Sequence, residues 1–210
     1  MKGFMTKGRW ALFVIFFVLI IDQIVKIYIK TTLPLGGSIP VLGDWFTLHF
    51  VENNGMAFGL ELEGKAGKLF LTLFRLIAVA GIGYYIYKVI KNNAPLGFII
   101  SLSLVLAGAF GNIIDSAFYG VLFSESGYNI ANPAVFMPEG GGYSSFLFGK
   151  VVDMFHFNLL EGVYPEWVPW LGGQDFMFFR PVFNIADSSI TCGVILLILF
   201  QKKFFYSKKI

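Results

Sequence analysis

The stretch FNIADSSITCGVILLILF, residues 183–200, opens with an asparagine and an aspartate and then turns almost wholly apolar. Asp187 stands at the mouth of a run that, with Pro181 and Val182, approaches the roughly 20 residues needed to cross a bilayer. An ionisable side chain there is costly unless it faces a partner or a water-filled cavity. How the rest of the chain meets that cost decides the fold.

Three further segments have the same apolar character: 11–29 (ALFVIFFVLIIDQIVKIYI), 69–87 (LFLTLFRLIAVAGIGYYIY) and 97–118 (GFIISLSLVLAGAFGNIIDSAF). Of the 210 residues, 56% are hydrophobic and 14% charged, against about 25% charged in soluble domains. That balance excludes an ordinary soluble domain. It predicts a membrane protein, mainly α, with four transmembrane helices at about 11–29, 69–87, 97–118 and 181–200 in a single integral membrane domain over 1–210. The first segment follows basic residues, as a secretory leader does. It has no small-residue cleavage site, and Asp22 and Lys26 interrupt it, so it reads as a retained span.

The flanking charges orient these spans. Lys2, Lys7 and Arg9 precede the first, Lys88 and Lys91 lie between the second and third, and Lys202, Lys203, Lys208 and Lys209 follow the fourth, with no acid among them. The outer links, 30–68 and 119–180, hold most of the Asp and Glu. The positive-inside rule then puts both termini and the short link in the cytoplasm. Asp22 and Lys26, Asn112 and Asp115, and Asn184 and Asp187 fall at one level, toward the outer face. The inner halves are expected to be apolar apart from Arg75 and scattered Ser and Thr.

The outer links carry structure of their own. Residues 45–60 (WFTLHFVENNGMAFGL) are aromatic and β-branched, then turn at Asn-Asn-Gly, and 150–159 (KVVDMFHFNL) also reads as a short strand. Segments 129–145 and 161–173 are punctuated by Gly and Pro and read as loops; their Trp and Tyr suit a membrane–water interface. The expected architecture is a small β-containing cap on a four-helix bundle. The lone Cys192 allows no internal disulfide and reads as a small core residue.

The polar residues within and beside the spans carry the chemistry. Asp22 and Lys26 share a helix face and suit an interface ion pair. GNIIDS (111–116) and FNIADS (183–188) echo each other, with Asn and Asp at i and i+3. Asn112 and Asn184 fit either polar glue between helices or support of a catalytic site, and Gly108 extends the first face and permits close helix approach. No basic residue in its own span neutralises Asp187. Asp153, in VVDMF (151–155), fits a solvated strand residue, or a second carboxylate at the level of Asp187. Two carboxylates sharing one proton can activate water and protonate a leaving group. His49 and His156 with Asp153 lack the HExxH-type spacing of a metal site, no motif places a Ser beside Lys26, and EGGGY (139–143) lacks the context of a phosphate loop. Basic residues do not interleave with aromatics on an outer surface, which argues against nucleic-acid binding.

Taken in order, DQIVK (22–26), ENNGMAFG (52–59), AGAFGNIIDS (107–116), VVDMF (151–155) and FNIAD (183–187) resemble the prolipoprotein (type II) signal peptidases, intramembrane aspartic proteases of bacteria. The likeness runs along nearly the whole chain. It implies removal of the signal peptide from diacylglyceryl-modified prolipoproteins, with the cut just before the lipidated cysteine. It maps the catalytic pair onto Asp153 and Asp187, and supporting or substrate-binding roles onto Asp22, Lys26, Asn53, Gly55, Ala57, Phe58, Gly108, Asn112, Asp115, Val151, Asn184 and Ala186. It also implies a periplasmic β-cradle, a mobile outer loop over the site, no cofactor or metal, a monomer in the bacterial inner membrane that meets its substrates amid lipid, and inhibition by globomycin-type compounds.

Two departures stand out. The family usually carries Arg after the Asp of the third motif, where this chain has Ser116; Arg180 or Lys150 could brace Asp115 instead. The separations from Asp115 to Asp153 and from Asp153 to Asp187 exceed the compact family spacing, through additions at roughly 120–149 and 158–180 that enlarge the cap. Two other classes fit intramembrane carboxylates: a proton-coupled carrier, which needs polar residues through the full depth of the bundle, and a non-enzymatic assembly factor.

Overall fold

The computed structural model describes residues 6–43, 45–55, 64–129, 133–178 and 181–206. Three helices among them are long and apolar enough to cross a membrane. Helix α1, Lys7–Thr32, starts at Thr6, whose Oγ1 accepts a hydrogen bond from the Arg9 amide at 3.3 Å, and ends at Leu33, just before Pro34. Helix α2 spans Gly64–Lys91 and α3 spans Leu96–Ile114. The latter runs on through a π-helical turn, Asp115–Tyr119, into a last turn, α4, Gly120–Leu122.

The fourth expected span is shorter than its sequence suggests. Residues 181–184 enter extended, and helix α5 covers only Ile185–Leu199 before breaking at Phe200 into the short α6, Gln201–Tyr206. The apolar run includes the chain's approach to the helix as well as the helix itself. Lys7 Nζ donates to the carbonyls of Asn93 at 3.0 Å and Ala94 at 2.7 Å, so the start of α1 and the α2–α3 turn share one end of the bundle. Phe204 of α6 packs there too, against the cluster of Ala11, Ile86, Phe98 and Ile99. The larger sheet lies at the opposite end, where Ile29 and Leu33 meet Phe50, Val152 and Met154.

Helix α3 is central and packs against α1, α2 and α5. Small residues allow its closest approach, to α5. A Cβ on Gly108 would overlap the Ala186 carbonyl and lie 2.7 Å from Ile190 Cγ1; one on Gly193 would lie 2.7 Å from the Ser101 carbonyl. Close backbone approach of this kind replaces the hydrophobic driving force that lipid removes. The outer faces carry Phe13, Phe16 and Phe17 of α1, Phe70 and Phe74 of α2, and Ile198 and Leu199 of α5, all exposed. Cys192 is exposed as well. The expectation of a core cysteine is corrected, because its side chain is exposed at the surface of α5.

The main sheet is antiparallel, in the order β1 (Ser38–Leu42), β2 (Phe46–Asn53), β3 (Val151–Phe157). Its register sets Asn53 opposite Val151 and Val51 opposite Asp153, past a bulge between Leu48 and Val51. The long excursion before β3 folds back on the turn it left. Gly149 N donates to Ser116 O at 2.8 Å, Leu147 N to Ala117 O at 3.1 Å and Ser144 N to Gly120 O at 2.8 Å. These bonds tie the excursion to carbonyls along the last turns of the α3–α4 run.

The loop expected over 161–173 is found over 164–173, but it joins two strands, the first of which takes up 161–163. Strand β4, Leu160–Val163, pairs antiparallel with β5, Asp175–Phe178. Gly162 reads as a breaker, yet it serves ring packing: a Cβ there would sit 2.7 Å from Phe176 Cε1.

The α3–α5 approach is directly testable. Gly108→Ala is expected to cost about 1–3 kcal/mol through overpacking, read as a lower midpoint of thermal unfolding in detergent. Gly81→Ala, with nothing within 4 Å of its Cβ position, should leave the midpoint in place.

Candidate active site

The site is assembled around one buried ammonium. Lys26, on α1, is fully buried, and its Nζ lies 2.9 Å from Asp22 Oδ2, 2.8 Å from Asp115 Oδ2 and 2.9 Å from Asn112 Oδ1. Three acceptors satisfy the three protons of an ammonium. The expected interface pair of Asp22 and Lys26 is thus a buried triad with Asp115. Gln23 completes it, donating to Asp115 Oδ1 at 2.9 Å and Asp22 Oδ2 at 3.1 Å while accepting from Tyr119 Oη at 3.1 Å.

Each partner of Lys26 reaches a different element. Asp22 Oδ1 accepts from the Ala186 amide at 2.9 Å, within the first turn of α5, where orphan N–H groups and the helix dipole favour an anion. Asp115 Oδ2 accepts from the Val152 amide on β3 at 3.3 Å. The π turn that begins at Asp115 is the kind of helix irregularity that recurs at functional sites. The brace proposed from Lys150 is not made: Lys150 pairs with Glu52 at 3.6 Å and Glu125 at 3.8 Å. Lys26 and Gln23 hold Asp115 instead. Arg180 lies outside the described residues.

Asn112 and Asn184 link this triad to the two carboxylates. Asn112 Nδ2 donates to Asp187 Oδ1 at 2.8 Å. Asn184 Nδ2 donates to Asp153 Oδ1 at 2.7 Å, to Asn112 Oδ1 at 3.0 Å and to Val152 O at 3.2 Å. Asn53 donates to the other oxygen of Asp153. Asp153 and Asp187 therefore face one cavity of about 590 Å³, lined also by Asn53, Gly55, Asn112, Val151 and Arg75.

The repeat of Asn and Asp at i and i+3 has two structural meanings. Asn112 lies within α3, as a shared helix face requires. Asn184 is not on a face; it is the N-cap of α5, accepting from the Asp187 amide at 2.8 Å while Asp187 Oδ2 accepts from the Asn184 amide at 3.3 Å. This is a capping box with Asp at the third position. It aims the Asp187 carboxylate at the cavity and leaves the Asn184 amide free to reach β3.

Asp153 is 4% exposed. Its carboxyl is pushed up to about 7, first by burial and then by the charge of Asp187; Lys26 and the hydrogen bonds from Asn184 and Asn53 pull the other way. Close carboxylates that resist double ionisation behave in this manner.

The glycines and alanine of the motifs serve backbone approach. Gly55 has φ +93°, and a Cβ there would meet Arg75 Nη1 at 2.6 Å. Ala186, fully buried, sits over Gly108 and Gly111. Ala57 and Phe58 lie outside the described residues.

The sequence reading missed four participants. Gln23 closes the triad. Lys30 and Glu52 form a buried ion pair, shared with Ser126, beneath β2 one residue before Asn53. Arg75, expected in the apolar inner half, lines the cavity of the carboxylates and donates to the Gly55 carbonyl. The return of the 45–55 segment toward α2, which brings Gly55 to Arg75, has no signature in local spacing.

Comparison with known proteins agrees along nearly the whole chain. The family model described as signal peptidase (SPase) II matches residues 14–203. A lipoprotein signal peptidase of Porphyromonas gingivalis is 50% identical over 196 residues, covering 93% of this chain and 84% of the relative. One from Amoebophilus asiaticus is 36% identical over 199 residues, covering 93% and 79%. A bacterial membrane enzyme solved by the in meso method at 2.3 Å resolution superposes with a TM-score of 0.59 at 30% identity, covering 95% of this chain and 91% of that one. The fold is that of an integral membrane enzyme of bacteria. Within that class, the chain belongs to the signal peptidase II family and is a protease.

Two measurements probe the electrostatics. Lys26→Met strands two buried carboxylates and is expected to cost about 3–5 kcal/mol, seen as a lower unfolding midpoint. The raised pKa of Asp153 means the folded state holds its proton more tightly than the unfolded chain. That stability is complete below the unfolded value of about 4 and is lost as pH rises toward about 7. Asp153→Asn cannot ionise, so its midpoint relative to the parent should rise between pH 4 and pH 8, by the equivalent of about 4 kcal/mol. A pH-independent difference would contradict the assignment.

Proposed function

We propose that this chain is an aspartic endopeptidase that removes the signal peptide from diacylglyceryl-modified prolipoproteins, cutting just before the lipidated cysteine. The observation that carries the reading is the pair of carboxylates on one cavity, joined by Asn184, which hydrogen-bonds to both residues. The family and the names of the relatives supply the substrate class.

Asp153 holds the shared proton, in keeping with its raised pKa, and Asp187 is the base. Water between them gives a proton to Asp187 as its oxygen bonds to the scissile carbonyl carbon. The C–N bond then breaks, and the leaving nitrogen takes a proton from Asp153. No covalent acyl-enzyme forms and no cofactor takes part. General acid and base must lie within hydrogen-bond reach of the protons they move; Asn53, Asn112 and Asn184 hold both carboxylates in place for it. Asn53 lines the approach of the peptide, and the apolar walls between the helices accept the signal helix and the lipid chains.

The membrane arrangement completes the reading. Four spans place both termini in the cytoplasm and the sheets, with the site, toward the periplasmic face of the inner membrane. The grouping of Lys7, the α2–α3 turn and α6 at one end of the bundle is in keeping with this, as is the surplus of Lys and Arg there. The enzyme acts as a monomer, and globomycin-type inhibitors occupy the cavity of the carboxylates. A carrier would need a polar path through the bundle, whereas Arg75, the charge expected in the inner half, belongs to the cavity of the carboxylates.

Asp153→Asn and Asp187→Asn are each expected to lower cleavage of a diacylglyceryl-modified precursor by at least about 100-fold, measured as mature lipoprotein formed in detergent. Near-parental turnover by either variant refutes the pair. Turnover of the parent should fall as pH rises through about 7, as Asp153 loses its proton.

A further inference from the structure

We infer that Arg75 is a catalytic residue of this site, donating hydrogen bonds from its guanidinium to the scissile carbonyl oxygen as that oxygen gains charge. The inference rests on the proteolytic reading above and adds to it the group that faces the developing oxyanion.

The argument begins with donors. A hydrolytic site needs a donor aimed at the carbonyl oxygen besides the groups that move protons, because negative charge gathers there when water adds. Most polar groups at this cavity are already committed. All three acceptors of Lys26 are internal, and it is fully buried. The Asn184 amide is shared among Asp153, Asn112 and Val152. Asn112 and Asn53 give hydrogens to Asp187 and Asp153.

Arg75 differs. It is the cation among the described residues lining the cavity of both aspartates, and Asp187, Asp115 and Asp153 all lie within its electrostatic reach. No carboxylate among the described residues lies at ion-pair distance from it. One arm of the guanidinium donates to the Gly55 carbonyl. A guanidinium presents a rigid, planar fork of N–H groups, so that single bond anchors one arm and leaves the other donors for a substrate. Gly55 leaves room for that arm: a Cβ there would lie 2.6 Å from Nη1 and the guanidinium would have to shift. The φ of +93° suits a glycine at this turn in any case.

The chemistry balances without proton transfer from Arg75. The electron pair of the carbonyl π bond moves onto its oxygen as the water oxygen bonds to carbon, and the guanidinium stabilises that charge by hydrogen bonding. When the intermediate collapses the pair returns, the C–N bond breaks, and the nitrogen is protonated by Asp153. Binding strengthened in the transition state raises kcat rather than lowering KM.

The test uses the full chain in detergent with a diacylglyceryl-cysteine peptide substrate. Arg75→Gln is expected to lower kcat about 100-fold with KM changed less than about threefold, while Arg75→Lys recovers part of the loss. A parental kcat in Arg75→Gln overturns the inference, as does a loss confined to KM, which would make the residue a clamp for the Gly55 turn. If Arg75→Gln unfolds below the parental midpoint, the Arg75→Lys variant decides: parental kcat from a residue lacking the planar fork again overturns it, and reduced kcat at unchanged KM supports it. Asp153→Asn and Asp187→Asn run in parallel. Activity in those variants defeats the proteolytic reading itself, whereas inactive aspartate variants beside a fully active Arg75→Gln defeat only the role of Arg75.

Discussion

The structure depends on the coordination of the Lys26 ammonium by Asp22, Asp115 and Asn112. Removing a charge from water is costly, and a buried pair is tolerated only when every proton and lone pair finds a partner. Here the partners sit on α1 and α3 and extend to α5 and β3 through Asp22 and Asp115. A displacement of any one element would strand a charge in a low-dielectric interior. The ion cluster therefore contributes less to net stability than to the uniqueness of the arrangement that places Asp153 and Asp187 on one cavity.

Between that cluster and the carboxylates stand amides rather than further charges. Asn112 accepts from Lys26 and donates to Asp187; Asn184 accepts from the Asp187 amide and donates to Asp153. An amide has both donor and acceptor ends, so it passes orientation along without fixing the protonation of either acid. A lysine in either place would hold both carboxylates ionised. Neutral links let the pair keep one proton, the state that the raised pKa of Asp153 describes.

Much of this was legible in the sequence. Apolar runs located the helices, and aromatic and β-branched runs located β2 and β3. Charge bias grouped the termini with the α2–α3 turn, an arrangement that Lys7 displays in its bonds to Asn93 and Ala94. The motif residues that converge are those singled out beforehand. What escaped were features set by long-range packing. Asn184 looks like a face residue until the helix start is known. Arg75 looks stranded until the 45–55 segment is seen to return to α2. Lys30 and Glu52 look like ordinary interface charges until α1 and β2 bury both. Gly162 reads as a turn until the Phe176 ring is found against it.

The excursion between α4 and β3 leaves and rejoins the body at almost the same place, pinned by Ser144, Leu147 and Gly149 on the turn from Ser116 to Gly120. Closing a flexible loop costs free energy only logarithmically in its length, about 0.6 kcal/mol for each doubling. The strand that presents Asp153 is thus insulated from whatever is inserted ahead of that anchor. The geometry of the Asp153–Asp187 pair and the shape of the outer surface become separable traits. The same inner arrangement can then be carried under caps of different size, and lineages can vary the outer surface without disturbing the strand beneath it.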